Sequence, residues 1–135
     1  MSLSVNFHQT NVKVYNSTFE NILSEDAINI FRSSFEIENN NYFNIYSDAI
    51  DVDFSEGRVF LSKFENIKND AVDFSGSIAE VKNVFFNNVK DKIISIGEES
   101  DVKISNIVAK NSFVGIASKD GSNVISNDIS FDGIF

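Results

Sequence analysis

The sequence predicts an all-β fold, a right-handed parallel β-helix of about six coils with three short strands in each. Three observations predict it. The tripeptides Asp26-Ala27-Ile28, Asp48-Ala49-Ile50 and Asp70-Ala71-Val72 recur at intervals of 22 residues. Apolar pairs keep the same period through Val5/Phe7, Ile28/Ile30, Ile50/Val52, Val72/Phe74 and Ile94/Ile96 to Ile116 with Ser118. A further apolar column, Phe19, Tyr42, Phe64, Phe86 and Val108, is followed two residues later by Asn21, Asn44, Asn66 and Asn88, with Lys110 breaking the run.

Each pair alternates apolar and polar residues, the period-2 signature of a strand with one face buried. A third series begins the coils as Val12/Val14 and Phe35/Ile37, continues as Val59/Leu61 and Val81, and returns as Val102/Ile104. Its register is expected to slip by a residue or two at turns of variable length. Clusters such as Ser55-Glu56-Gly57, Gly76-Ser77 and Asp120-Gly121-Ser122 separate the segments and read as turns.

A coil of three bent strands buries its inward residues only when another coil stacks on it at ~4.8 Å. Equivalent residues then form ladders along the axis. Fourteen Phe residues suit an interior stack, and the Asn columns suit inward amides hydrogen-bonding from coil to coil. A leucine-rich repeat has a similar period but needs several Leu per unit, whereas Leu3, Leu23 and Leu61 are the only ones here. The chain lacks Pro and shows no sustained i, i+3, i+4 apolar stripe, which leaves little room for helices.

A length of 135 residues suits one domain over 1–135, either entire or a segment of a larger protein. Met1, Ser2 and Leu3 precede the first patterned residue and read as an expression leader. The net charge of −9 argues against nucleic-acid binding and against attachment to anionic lipid. No apolar run approaches the ~18 residues that span a bilayer. Without cysteine there is no disulfide framework or thiol nucleophile.

The repeat running from Val12-x-Val14-x-Asn16-Ser17-Thr18-Phe19-x-Asn21 into Asp26-Ala27-Ile28-x-Ile30 resembles the right-handed β-helix repeat of the pectate-lyase-like superfamily. The resemblance covers nearly the whole chain. It implies a fold, a carbohydrate theme and an extracellular or cell-surface setting. The superfamily includes polysaccharide lyases, glycoside hydrolases, epimerases and non-catalytic surface proteins. Its enzymes commonly carry their active residues on the outward positions of one sheet, which the D-A-I strands resemble.

On those strands the register stacks Asp48 on Asp70 and Asp51 on Asp73, with Asp53 beside them and Lys92 above Asp70. Like charges on adjacent strands repel unless something offsets them. Two readings follow. Ca²⁺ held by Asp48, Asp51, Asp70 and Asp73 would supply the offset, since this ion takes six to eight oxygen ligands. Alternatively, solvent screens the outward pair while the turn aspartates accept backbone N–H groups and Lys92 pairs with Asp70.

Asp51 and Asp73 are also the candidate acid and base for cleavage of a glycosidic bond. The resemblance implies further residues for such chemistry. Hydrolase-like members add a histidine and an Arg-x-Lys run, and lyase-like members place a proton-abstracting Arg beside the Ca²⁺ ligands. Here the only histidine is His8, expected outward, and Arg32 and Arg58 begin no such run. Both arginines are expected at turns after the D-A-I strands. The leading functional expectation is therefore a non-catalytic stalk or surface domain with polysaccharide contact, and the alternative is a polysaccharide-acting enzyme or its remnant. Open strand edges at the end coils are expected to take additional coils or to join end to end with a second copy.

Overall fold

The computed structural model describes residues 4–23 and 25–134. Met1, Ser2 and Leu3, read above as a leader, lie outside the described residues. The first coil comprises β1 (Val5–His8), β2 (Asn11–Tyr15) and β3 (Thr18–Ile22); the second comprises β4 (Ile28–Phe31), β5 (Ser34–Glu38) and β6 (Asn41–Ile45). The third contains β7 (Ile50–Asp53), β8 (Glu56–Phe60) and β9 (Lys63–Ile67). Later coils fuse their second and third strands: β10 (Val72–Ser75) leads to β11 (Ile78–Val89), β12 (Lys92–Gly97) to β13 (Asp101–Ser112), and β14 (Val114–Ser118) to β15 (Asn123–Ile134).

All pairings are parallel, as the one-handed winding of a right-handed solenoid requires. The first face is the six-stranded sheet β1-β4-β7-β10-β12-β14. A second sheet covers the other two faces, with β11, β13 and β15 bending through both. The expected D-A-I register holds, with Ile28 on Ile50, Val72 on Ile50 and Val72 on Ile94.

The interior is the set of ladders that alternation demands. Ala27, Ile28, Ile30, Ala49, Ile50, Val52, Ala71, Val72 and Phe74 are fully buried. Phe19, Tyr42, Phe64 and Phe86 stack with ring centroids 5.2, 4.5 and 5.1 Å apart and nearly parallel planes. Each large buried side chain loses water on all sides, which is the main favourable term holding the coils together.

Corners are made by residues in the left-handed region. Gln9, Arg32, Phe54 and Gly76 turn the first corner; Asn16, Asn39, Leu61, Asn83, Asn106 and Asp128 the second; Asn21, Asn44, Asn66, Asn88, Asn111 and Gly133 the third. Asn and Gly tolerate this conformation best, which accounts for much of the asparagine content. The third corner corrects the expected inward amide ladder. The ladder exists, with Asn44, Asn66 and Asn88 each donating Nδ2 to the Oδ1 of the Asn one coil earlier. It faces outward, however, because a positive φ breaks the strand alternation: Phe19 points in, Glu20 and Asn21 both point out, and Ile22 points in.

Two further register expectations are corrected. The aromatic column continues through Ala109 and Phe131 rather than Val108, and Lys110 sits beside Asn87 while Asn111 keeps the corner. The cause is a residue inserted at Glu98-Glu99, both with positive φ, so that Ser77 and Ser100 are 23 apart where Ser33, Ser55 and Ser77 are spaced by 22. The fifth coil recovers the step at its third corner, where Phe113 alone stands between β13 and β14 while Lys90 and Asp91 separate β11 from β12.

On the second face the one-residue steps fall at the corners, and Val14, Ile37, Val59, Val81 and Ile104 stand in one continuous column at intervals of 22 or 23 residues. Phe35 lies over Gly57 and Gly57 over Ala79, so small residues occupy the positions where an apolar side chain is missing, and Leu61 is an exposed corner. A Cβ on Gly57 would meet the Phe35 carbonyl oxygen at 2.0 Å and its ring at 2.6 Å. Gly57 is thus the residue that admits the Phe35 ring.

Candidate functional site

Three outward columns of the first face carry its chemistry. The entrance column is Asp26, Asp48, Asp70, Lys92 and Val114, the middle one is Asn6, Asn29, Asp51, Asp73 and Ser95, and the exit column holds His8, Phe31, Asp53 and Ser75. Alternation places the middle and exit columns outward because Ile50, Val52, Val72 and Phe74 fill the inside.

The entrance aspartates form a ladder of their own. Asp26 Oδ1 accepts the Asp48 N–H at 2.9 Å and the Ser47 hydroxyl at 2.5 Å. Asp48 Oδ1 accepts the Asp70 N–H at 2.9 Å and Asn69 Nδ2 at 2.7 Å. Asp70 Oδ1 accepts the Lys92 N–H at 2.9 Å, and Lys92 Nζ lies 3.4 Å from it and 2.8 Å from Asp91. The turn aspartates therefore do satisfy backbone donors, and Lys92 does pair with Asp70.

Asp48, Asp51 and Asp73 converge, each offering an oxygen within 4.8 Å of the other two. Asp48 is 8% exposed, and Asp51 and Asp73 are half-buried. Of the four aspartates expected at a metal, Asp70 stands outside this convergence, committed to Lys92. Asn29 borders the group: turned with its NH₂ toward the carboxylates, it reaches Asp26 Oδ2 at 3.1 Å and Asp51 Oδ2 at 3.2 Å.

Electrostatics follow from the geometry. Burial pushes the Asp48 carboxyl up to about 7, with the neighbouring aspartates adding to the rise and the Asp70 N–H opposing it. Burial likewise pushes Asp51 up to about 8, reinforced by Asp53, Asp26, Asp73 and Asp48. Asp53 and Asp70 also shift upward, chiefly by burial, with Lys92 restraining Asp70. Among the described residues, the ion pairs are Arg58 with Glu36 and Lys92 with Asp70 and Asp91, so Asp48, Asp51 and Asp73 share no paired cation.

The remaining candidates lie elsewhere. His8 is exposed on β1 and packs against Phe31 at 5.2 Å. Arg32 is at the first corner, its guanidinium 5.1 Å from the Phe31 ring. Arg58 corrects the expectation of a turn: it lies within β8 on the second face, 3.8 Å from Glu36 and 4.8 Å from the Phe60 ring. There it belongs to a row of alternating charge, Lys13, Glu36, Arg58, Glu80 and Lys103, stacked strand upon strand.

The arrangement offers two kinds of chemistry. Converging carboxylate oxygens suit a hard cation such as Ca²⁺. A carboxyl that keeps its proton near neutrality beside a second carboxylate can also donate that proton to a leaving oxygen. The sequence reasoning missed the serine ladder that holds the neighbouring corner, in which Thr10, Ser33, Ser55, Ser77 and Ser100 each donate N–H to the hydroxyl one coil later. The signal was the series Ser33, Ser55, Ser77, Ser100, Ser122. The contact of Asn69 Nδ2 with Asp48 likewise has no sequence signature. Comparison of the chain with protein-family models and with curated proteins finds no match.

Proposed function

We propose that this β-helix is a non-catalytic stalk or surface domain of an exported or cell-surface protein of the pectate-lyase-like kind, and that its first face takes up Ca²⁺ between Asp48, Asp51 and Asp73. The observation that carries the cation reading is the convergence of those three carboxylates within 4.8 Å without a cationic partner. A divalent ion relieves their mutual repulsion and the cost of burying them, with backbone carbonyls and water completing its shell. Polysaccharide contact fits the same face, where a bound cation and the Phe31 ring would meet hydroxyl and apolar patches of a sugar. The last coil leaves Ile116, Val124 and Ile129 half-buried and Phe131 45% exposed, which suits stacking by additional coils or a second copy.

The non-catalytic reading is supported by the placement of the cationic groups. Arg58 serves Glu36 on another face, Arg32 packs on Phe31, and Lys92 is shared by two aspartates. One observation favours the alternative, a polysaccharide-acting enzyme: Asp51, pushed up to about 8, keeps a proton near neutrality beside Asp73. Asp51 would then act as the acid and Asp73 as the base or nucleophile. Titration calorimetry with Ca²⁺ in chelator-free buffer at pH 8 tests the cation reading. Saturable binding that disappears in Asp51→Asn/Asp73→Asn supports it, whereas no heat in the wild-type chain overturns it. Hydrolysis or elimination of any polysaccharide, abolished by Asp51→Asn, would favour the enzyme.

A further inference from the structure

The second corner carries a feature that the repeat does not require. Asn16 turns this corner in the first coil at φ 54° and is exposed between β2 and β3. Two residues later stands Thr18, the first residue of β3, also exposed. Position by position, the coils place Thr18, Asn41, Lys63, Phe85, Val108 and Ser130 at this point, so stacking makes no demand for a hydroxyl there. Of the eighteen asparagines in the chain, Asn16 alone has Ser or Thr two residues on, and the residue between is Ser17 rather than Pro.

The side chain is also presented in a usable way. Asn16 Oδ1 accepts Asn39 Nδ2 at 2.7 Å, which leaves the Asn16 Nδ2 group donating to nothing among the described residues. Ser17 anchors the turn beneath it, its N–H on Asn40 Oδ1 at 2.9 Å and its hydroxyl on the Tyr15 carbonyl at 2.9 Å. A substituent on Nδ2 projects from an outer corner and displaces no core residue, since inward packing in this coil is made by Phe7, Val12, Val14, Phe19 and Ile22.

We propose that Asn16, with Thr18, is an acceptor site for N-linked glycosylation when the chain passes through a secretory route that carries an oligosaccharyltransferase. The inference rests on the exported reading given above. In the transfer, Nδ2 forms a bond to the anomeric carbon of a polyprenyl-diphosphate-linked oligosaccharide. The bond from that carbon to the diphosphate oxygen breaks, the diphosphate leaves with its electron pair, and the Nδ2 proton passes to a base of the transferase. No oxidant or reductant is needed.

The test is secretion of the 135-residue chain behind a heterologous signal sequence from a glycosylating eukaryotic host, followed by intact-mass measurement with and without a glycan-releasing amidase. The expected result is one glycan per chain, mapped to Asn16, retained in Thr18→Ser and lost in Thr18→Ala, a change that leaves the Asn16–Asn39 contact in place. Asn16→Gln should lose it too. A folded, secreted wild-type chain that carries no glycan overturns the assignment. Because the host signal supplies export, that outcome leaves the exported reading intact; the exported reading fails separately, if the native protein is found inside the cell.

Discussion

Asp48 accepts the backbone N–H of Asp70 from the next coil at 2.9 Å, so the same carboxylate that crowds Asp51 and Asp73 also splices two coils together. Its acceptor role and its charge are separable. Asp48→Asn keeps an oxygen for the Asp70 N–H while removing one of the converging charges. It should melt at or above the wild-type temperature at pH 8 without divalent cation. Asp48→Ala leaves the Asp70 N–H without its partner and should cost ~1–3 kcal/mol in urea unfolding.

The raised carboxyls give stability a definite pH slope. A carboxyl whose folded value lies above its unfolded value contributes stability that is full below the ordinary carboxylate range and is lost as pH rises through the folded value. For Asp48 and Asp51 the loss begins above the ordinary carboxylate range and is complete once pH passes about 7 and about 8 respectively. Melting temperatures in chelator should therefore fall from pH 5.5 to pH 9, by several degrees for a domain of this size. Glu36, lowered by its bond from Tyr15, acts only in the acid range below this window. Asp51→Asn should flatten the slope, and a melting temperature that rises with pH would contradict the assignment.

Asn66 combines backbone and ladder roles, with φ 56°, a bond to Asn44 and one from Asn88. Asn66→Ala loses both bonds and takes on the left-handed strain, for a combined cost of ~2 kcal/mol. Asn66→Gly keeps the backbone easy and should cost less. Asn69→Ala gives up only the bond to Asp48 and should cost less than Asn66→Ala. Chemical unfolding of the three variants checks the order, and equal midpoints would remove the ladder's energetic role.

Gly57→Ala tests the second-face register. The new methyl would meet the Phe35 carbonyl oxygen, which is backbone and cannot rotate away. A loss of about 3 kcal/mol or more is expected, at the upper end of overpacking. Ala79→Gly, one coil later in the same column, should cost only about 1 kcal/mol, the entropic cost of a glycine within a strand.

Much of the fold was legible because inward residues of a parallel β-helix must repeat: the D-A-I strands and the Phe19, Tyr42, Phe64, Phe86 stack read directly from the period. Two of the misplacements, the Asn column and Val108, arise at residues in the left-handed region. A residue in the left-handed region shifts which side the next side chain faces, and nothing in Asn21 or Glu98 announces that shift to a two-residue alternation rule. Hence Asn21, Asn44, Asn66 and Asn88 were expected inward, and Val108 was expected where Ala109 lies. At the candidate site the sequence placed Asp51 over Asp73 and Lys92 by Asp70. The swing of Asp48 toward both, and the withdrawal of Asp70 to Lys92, depend on side-chain geometry that spacing does not encode.

The cation reading is tested most directly by melting the wild-type chain and Asp51→Asn/Asp73→Asn at pH 8 with millimolar Ca²⁺ and again with excess chelator. A ligand bound by the folded state alone must raise its stability, by ~2.7 kcal/mol at a hundredfold excess over its Kd. The account predicts a higher melting temperature with Ca²⁺ for the wild type and none of that gain for the double variant. An identical melting temperature in Ca²⁺ and chelator for the wild type would contradict it, leaving Asp48, Asp51 and Asp73 as a structural acidic stripe.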